Sequence, residues 1–266
     1  MKCIRFSGAI TPEQHINKMS DYSELKFYTK STDCGTDSCL SPYVLLSDLQ
    51  ETADYGAADT GWSREAIGEY NCCWIVLRYL ISIKRLPSWK EEFTIRTWTR
   101  GAQKLFFGRE FEVYDSHGEC IISSSSVWIL ADKDTHRPVF PSALETLPQR
   151  LVQSDRLAVG QNCPKLKIPV KPADIKPVIT KYADYSELDH NNHVNNTRYL
   201  AWIYDALYKG GFDIHSVNEI NINYVAEVKS GSKVDIYVDK SENGLFVYGY
   251  REDDTGVFVS ELRFRI

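Results

Sequence analysis

Two blocks of strand-like sequence dominate the hydrophobic pattern of the chain. In residues 74–130 and again in residues 219–266, stretches rich in β-branched and aromatic residues alternate with short breaks that contain Pro, Gly, Ser or Asn. This pattern is typical of antiparallel strands joined by turns. The predicted strands are WIVLRYLISIKRL, EEFTIRTWTR, KLFFGREFEVYD and ECIISSSSVWILAD in the first block, and EININYVAEV, KVDIYVD, LFVYGYRED and VFVSELRFRI in the second.

Each block follows a predicted helix. The first helix begins at Ser41-Pro42, a cap residue with proline at the first helical position. The second follows Asn195-Asn196 and ends at Gly210-Gly211. Their apolar positions coincide under one constant shift, which carries position 45 to position 199. The matched sets are Leu45, Leu46, Leu49 and Ala53 in the first helix, and Tyr199, Leu200, Ile203 and Leu207 in the second.

The repeated order of elements indicates a duplicated unit, in which a strand and a long helix precede about four antiparallel strands. A helix wrapped by a curved antiparallel sheet is a hotdog fold. We therefore predict an α+β chain with two hotdogs in tandem, the alternative being two unrelated α+β domains. The predicted domains cover residues 1–148 and 177–266, and residues 149–176 have the composition of a linker.

Composition limits the cellular compartment and the kinds of partner that the sequence is compatible with. A net charge of −5 gives no sign of a nucleic-acid partner, and no run of 18 apolar residues predicts a membrane span. The N-terminus has no signal-peptide pattern, and the seven cysteines show no CxxC spacing. We therefore expect a cytoplasmic protein with reduced thiols and no cofactor. A homodimer is compatible with the sequence.

Candidate chemistry lies directly before the second helix. Asp189, Asn191 and His193 alternate, so in an extended segment their side chains would share one face. The helix N-terminus beyond them favours a developing negative charge. The first copy places Gly35, Asp37 and Cys39 at the equivalent positions. Since the first helix starts without the polar set, helix capping alone does not explain that set.

Two further interpretations concern neighbouring residues. Asp189, His190 and His193 are a conceivable metal set, but alternation separates His190 from the other two, and no thiol or further carboxylate is close in sequence. Glu227 ends an otherwise apolar strand. Such a glutamate is usually a solvated charge. It becomes a candidate because this strand can run beside the approach to the helix.

These residues carry a family resemblance. The segment Asp189-His190-Asn191-Asn192-His193-Val194-Asn195-Asn196 resembles the D-x-N-x-H-V-N-N signature of acyl-acyl carrier protein (ACP) thioesterases, and YVAE at 224–227 resembles their Y-x-x-E. The first block is also similar to their first domain. Outside residues 1–25 and the linker, the resemblance covers nearly the whole chain. Plant members often have a cysteine after that glutamate, where Val228 stands here, and a plastid transit segment, which we do not expect here.

The resemblance implies hydrolysis of fatty acyl-ACP in fatty acid biosynthesis, with Asp189, Asn191, His193 and Glu227 in catalytic positions. We expect Glu227 and His193 to activate water, either of them being the base. Asn191 and backbone N–H groups at the helix start would polarise the carbonyl, and Asp189 would orient its neighbours. No G-x-S-x-G motif indicates a serine nucleophile. The acyl slot is expected in the first hotdog, lined by residues such as Leu45, Leu49, Leu77 and Phe106.

The sequence also suggests a docking surface for the partner and leaves several alternative functions open. Residues 78–109 contain eight Lys or Arg against two Glu, a net +6 that would suit docking of acidic ACP or simply solvate strand faces. The rivals are an acyl-CoA thioesterase, a hydratase or dehydratase acting on acyl thioesters, and a non-catalytic acyl-binding or carrier-binding module.

Overall fold

The computed structural model describes residues 21–148 and 152–265. The ends of the predicted domains at residues 1–20 and 266, and the start of the predicted linker at residues 149–151, lie outside this part. The first half contains β1 (Ser23–Tyr28), α1 (Pro42–Asp59), α2 (Arg64–Gly68), β2 (Cys72–Ile83), β3 (Glu92–Gln103), β4 (Phe106–Asp115), β5 (Cys120–Asp132) and β6 (Pro138–Val139). The second contains β7 (Ile179–Tyr182), α3 (Asn196–Lys209), β8 (Val217–Tyr224), β9 (Lys233–Ser241), β10 (Gly244–Arg251) and β11 (Gly256–Phe264).

The strands form one antiparallel sheet in which the two halves repeat the same order. The order is β1-β3-β4-β5-β2-β8-β11-β10-β9-β7, with β6 paired to β5. Read inward from each edge, 1-3-4-5-2 in the first half corresponds to 7-9-10-11-8 in the second. The halves join where β2 pairs with β8, with Tyr79 opposite Ile222. This repetition, with one long helix in each half, confirms the predicted tandem double hotdog.

Both long helices begin where the sequence predicts. Ser41 precedes Pro42 at the start of α1, and the Asn195 side chain accepts the Thr197 N–H at the start of α3. α3 ends at Lys209, Gly210 is its cap residue, and Gly211 has a positive φ of 76° that suits glycine. The apolar faces of both helices are fully buried in a single core shared by the two half-sheets. This shared core fixes the two helix starts relative to each other.

The predicted linker is ordered where the structure describes it. The Trp98 indole donates to the Arg156 carbonyl at 2.9 Å, and Cys163 is buried. Further along, the Leu166 N–H donates to Asn223 Oδ1 at 2.9 Å, and the Tyr250 hydroxyl donates to the Pro169 carbonyl at 2.6 Å. Linker composition therefore does not mean a loose tether in this protein. The segment is held against strands of both halves.

Asp48 on α1 gives a prediction about stability. Burial, followed by the nearby charge of Asp33, raises the pKa of Asp48 to about 7. The folded state then keeps a proton that the unfolded chain releases near pH 4, so stability falls as pH rises from about 4 to about 7. We expect Asp48→Asn to raise the free energy of unfolding at pH 8 by up to about 4 kcal/mol.

Denaturant unfolding of the wild type and Asp48→Asn across that pH range measures the effect. The exposed neighbour Glu51 supplies a control, Glu51→Gln, which should leave the pH dependence in place. A wild-type stability that stays flat from pH 4 to 7, or an equal gain from both variants, would contradict the assignment.

Candidate active site

Residues 189–193 form a tight turn rather than the extended segment that the alternation suggested. The Asp189 N–H donates to the His193 carbonyl at 2.8 Å, and the Asn192 N–H donates to the Asp189 carbonyl at 3.0 Å. Asn192 has a positive φ of 61°, which asparagine tolerates. The expectation of an extended segment was therefore wrong. Asp189, Asn191 and His193 nevertheless line one cavity, because the turn brings them together.

The Asp189 carboxylate organises this turn. Its Oδ1 accepts the backbone N–H of Asn191 at 2.8 Å and that of His193 at 3.2 Å. A carboxylate or amide oxygen that accepts N–H groups further along the chain is a common way to stabilise such a turn. The contacts of Asp189 are thus to the backbone of the two residues, and through it they set where the two side chains lie.

These contacts predict different outcomes for two substitutions at position 189. Asparagine retains an oxygen at Oδ1, so Asp189→Asn is expected to keep kcat within about tenfold of wild type, since neutral acceptors are weaker. Asp189→Ala leaves both N–H groups without their acceptor and should lower kcat about a hundredfold by displacing His193. Steady-state kinetics of the two variants checks the order. An equal, large loss of kcat in both variants would instead show that the reaction needs the negative charge of Asp189.

Glu227 reaches the turn from a segment that follows β8. It lies three residues beyond the end of β8 at Tyr224, so it is not on the strand as expected. The Val194 N–H donates to the Val228 carbonyl at 2.8 Å, which ties this segment to the turn. Glu227 Oε2 then lies 3.6 Å from His193 Nε2. This separation is within ion-pair range but is longer than a normal hydrogen bond.

The cavity at this site has a volume of about 380 Å³ and lies between the halves. The second half supplies the four predicted residues. The first half supplies residues 73–77 of β2 together with Lys133 and His136 from the turn between β5 and β6. Sequence reasoning placed the catalytic residues in the second domain and the acyl slot, with Leu77, in the first, and it missed Lys133 and His136. Lys133 and His136 lie far from the motif in sequence, and no local pattern links them to it.

The corresponding turn in the first half has the same backbone without the same side chains. The Gly35 N–H donates to the Cys39 carbonyl at 2.9 Å, and the Leu40 N–H donates to the Pro87 carbonyl at 2.8 Å. Ser38 has the positive φ of 61° that Asn192 has. The backbone therefore forms this turn with glycine in the place of Asp189 and cysteine in the place of His193. In the first-half turn the Cys39 N–H donates to Asp37 Oδ1 at 3.0 Å, so Asp37 takes the acceptor role that Asp189 has toward the His193 N–H in the second half.

Backbone donors at the start of α3 are largely occupied. The Asn195 side chain accepts the Thr197 N–H at 2.9 Å, and the Asn195 carbonyl accepts the Arg198 N–H at 2.9 Å. The Asp189 side chain already takes the His193 N–H. Fewer backbone N–H groups at the helix start than expected are therefore free to donate to a substrate oxygen. This leaves more of the polarising role to the Asn191 side chain, which lines the cavity.

The cysteine in the cavity is poorly suited to be a nucleophile. Cys73 lines the cavity, and burial raises the pKa of its thiol, which keeps it protonated. Val228, at the position where a cysteine often follows the glutamate in plant members, is fully buried. Among the described residues, no group of three or more His, Cys, Asp or Glu side chains has the arrangement of a metal site.

The basic stretch at residues 78–109 does not form one exposed patch, which favours the alternative of charges that solvate strand faces over that of a docking surface. Four of its eight cations are ion-paired or buried and do not add to an exposed basic surface. Arg85 pairs with Glu91 and Asp115, Arg96 with Glu24, and Arg100 with Glu110, while Arg109 is buried.

Comparison with known proteins agrees with this fold. The profile of the acyl-ACP thioesterase N-terminal domain matches residues 21–141, and that of the C-terminal domain matches residues 173–257. The chain belongs to the acyl-ACP thioesterase family. An acyl-ACP thioesterase structure from Bacteroides thetaiotaomicron superposes with a TM-score of 0.78 at 25% identity, covering 92% of this chain and 98% of that one. The 12:0-ACP thioesterase from Umbellularia californica gives 0.78 at 18% identity, with 94% and 99% covered, and supports the fold.

Curated relatives include plant enzymes. The chain is 27% identical over 217 residues to the chloroplastic palmitoyl-acyl carrier protein thioesterase of Arabidopsis thaliana, covering 76% of this chain and 51% of the relative. Oleoyl-acyl carrier protein thioesterase 2 of the same plant is 24% identical, with 79% and 60% covered. The chain thus spans about half the length of the first of these relatives. No helix among the described residues is long and apolar enough to cross a membrane.

Proposed function

We propose that this chain hydrolyses the thioester between a fatty acyl group and ACP, releasing a free fatty acid during fatty acid biosynthesis. The observation that carries the proposal is that Glu227 Oε2 lies 3.6 Å from His193 Nε2 in a cavity between the halves. Membership in the acyl-ACP thioesterase family supports it, as do the names of the plant relatives. The first-half turn adds support, because its backbone is the same and its polar set is absent.

In the proposed reaction, a water molecule between Glu227 and His193 attacks the thioester carbonyl carbon. One of these two side chains takes the water proton while the new C–O bond forms. Asn191 donates to the carbonyl oxygen as it gains negative charge. The C–S bond then breaks, and the pantetheine sulfur leaves as a thiolate, which takes up the proton. A thiol with a pKa near 8.5 leaves readily, so the first step is the demanding one.

The carrier is proposed to be ACP because the relatives are named for it and because the rim of the cavity carries cations. Lys133 lines the cavity. Lys229 pairs through its backbone with His193. ACP is acidic, so charged docking at this rim would be weakened by salt. The six described cysteines are all free thiols, which fits a reducing compartment such as the cytoplasm.

The acyl chain is proposed to run past Trp74 into the first half. Trp74 lines the main cavity and also a second one of about 30 Å³, bounded by Ala57 of α1 and Arg109 of β4. Of the four residues expected to line a slot, only Leu77 lines either cavity. Leu45 and Leu49 are fully buried in the core, and Phe106 is 45% exposed. Three of the four residues expected in the lining therefore lie outside both cavities.

This path predicts a change in product length. Trp74→Ala removes the ring between the two cavities, and we expect the preferred acyl chain to become longer. Gas chromatography of acids released from a mixture of acyl-ACP substrates measures the shift. Trp89→Ala, at a half-exposed surface position, is the control. An unchanged product profile in Trp74→Ala would place the slot elsewhere.

The proposed function is tested with a ladder of acyl-ACP thioesters and the matching CoA esters. The purified chain should release free thiol and free acid from acyl-ACP with a kcat/KM at least about tenfold above that for CoA esters, and added salt should reduce the difference. Preference for CoA would make the chain an acyl-CoA thioesterase. Tight binding without thiol release would make it a binding module.

A further inference from the structure

An imidazole from the first half contacts the proposed catalytic carboxylate. His136 Nδ1 lies 3.2 Å from Glu227 Oε2, closer than His193 Nε2, which lies 3.6 Å from the same oxygen. The two imidazole rings are 6.2 Å apart and almost perpendicular. His136 also lines the cavity. The carboxylate thus lies between one imidazole from each half of the chain.

The turn that carries His136 is tightly hydrogen bonded. Asp132 Oδ1 accepts the Asp134 N–H at 3.2 Å and the Thr135 N–H at 2.8 Å, and the His136 N–H donates to the Asp132 carbonyl at 2.9 Å. Asn71 adds a hydrogen bond to Asp134 Oδ2 at 2.8 Å. The backbone of His136 is therefore held in place. Its imidazole is presented to Glu227 from a fixed point rather than from a loose loop.

The backbone of His136 has a positive φ of 54°, in the left-handed region. Glycine adopts this region without cost, whereas among other residues it is uncommon and is found mainly for Asn, Asp and His. His136 thus destabilises its own turn relative to glycine while its side chain contacts the proposed catalytic carboxylate. This combination makes a role in the chemistry a hypothesis to test.

Glu227 has little else to hold its carboxylate in place. Its side chain is 43% exposed, and its hydrogen bond with Arg251 Nη1, at 2.8 Å, goes to the backbone carbonyl. A half-exposed glutamate otherwise samples several rotamers. Among the described residues, the side chains within ion-pair range of its carboxylate are His136 and His193. The nearer of these two is the one outside the recognised motif.

We propose that His136 is a positioning residue, which donates from Nδ1 to Glu227 Oε2 and holds that carboxylate toward His193 and the attacking water. This rests on the proposed function, because it assigns Glu227 a place in hydrolysis. The role explains why the site lies between the halves. The second half supplies the reacting groups, and the first half fixes the orientation of one of them.

Two substitutions separate this role from a structural one. His136→Gly removes the donor and relieves the positive φ, so the thermal midpoint should match or exceed that of wild type. His136→Asn keeps a donor, because asparagine Nδ2 occupies the same place relative to Cγ as histidine Nδ1, and it also tolerates the backbone. Lys104→Gly makes the same backbone change at an exposed residue with a φ of 60°, away from the cavity, and serves as the control.

With acyl-ACP as substrate, we expect His136→Gly to lower kcat by about ten- to a hundredfold with KM changed by less than about threefold, as for a displaced reacting group. His136→Asn should recover most of the loss, and Lys104→Gly should leave kcat unchanged. In a Glu227→Ala background, His136→Gly should have no further effect, because it acts through the carboxylate.

The role would be overturned by a wild-type kcat in His136→Gly, by equal losses in the glycine and asparagine variants, or by an undiminished loss in the Glu227→Ala background. A change confined to KM would also overturn it, since His136 would then contact substrate directly. Each of these differs from failure of the proposed function itself, in which the wild-type chain releases no thiol from acyl-ACP.

Discussion

Glu227→Gln is expected to lower kcat for acyl-ACP by about a hundred- to ten-thousandfold, the usual contribution of a positioned acid or base. The amide keeps the shape of the side chain but cannot take a proton from water. It also cannot offer a charge to His193, whose Nε2 lies 3.6 Å away. KM should change little, because the carboxylate acts in the transition state rather than in substrate binding. Initial rates of thiol release measure both constants.

The matched control for this prediction is Glu242→Gln, an exposed glutamate between β9 and β10. It makes the same chemical change far from the cavity and should leave kcat unaltered. Circular dichroism of both variants checks that the fold is kept. A Glu227→Gln enzyme that retains about a tenth or more of the wild-type kcat would remove Glu227 from the proton-transfer step.

Asn191→Ala should have the second-largest effect, lowering kcat by about a hundred- to a thousandfold, as loss of one donor to a developing oxyanion does. The expectation is strengthened by the occupied N–H groups at the start of α3, which leave fewer alternative donors. The Asn191 N–H donates to Asp189 Oδ1, so the turn depends on its backbone rather than on its side chain. The loss should therefore be in turnover and not in folding.

The neighbouring residue provides the control for Asn191. Asn192 has a φ of 61°, so Asn192→Gly suits the turn and removes an equally polar side chain from a position that does not line the cavity. It should have a kcat close to that of wild type. Similar effects from the two substitutions would show that the turn, rather than the Asn191 amide, matters for the rate.

Much of the fold could be predicted because its signals are local. Ser41-Pro42 and Asn195-Asn196 mark helix starts and Gly210-Gly211 marks an end, and the structure confirms all three positions. Only Asn195 caps its helix with a side-chain hydrogen bond, because Ser41 makes none. Strand alternation and the constant shift between the helices predicted the duplication. Under the same shift the two turns also correspond, since residues 35–40 and 189–194 make the same backbone hydrogen bonds.

The parts that could not be predicted depend on contacts between distant segments. Asp189, Asn191 and His193 do converge, but a turn brings them together where alternation suggested a strand. Glu227 reaches them through the bond from Val194 to Val228, and His136 arrives from the other half. Pairing of surface charges is equally non-local. A count of cations along residues 78–109 therefore did not predict an exposed basic surface.

A single turnover in H₂¹⁸O, with the enzyme in excess over acyl-ACP, tests the central claim most directly. If water held between Glu227 and His193 attacks the thioester, one ¹⁸O should appear in the carboxylate of the released fatty acid, and none in the protein. Mass spectrometry of the acid and of the peptide that contains Glu227 reads both positions. Label in Glu227 with an unlabelled acid, or ACP that keeps its acyl group, would contradict direct hydrolysis at this site.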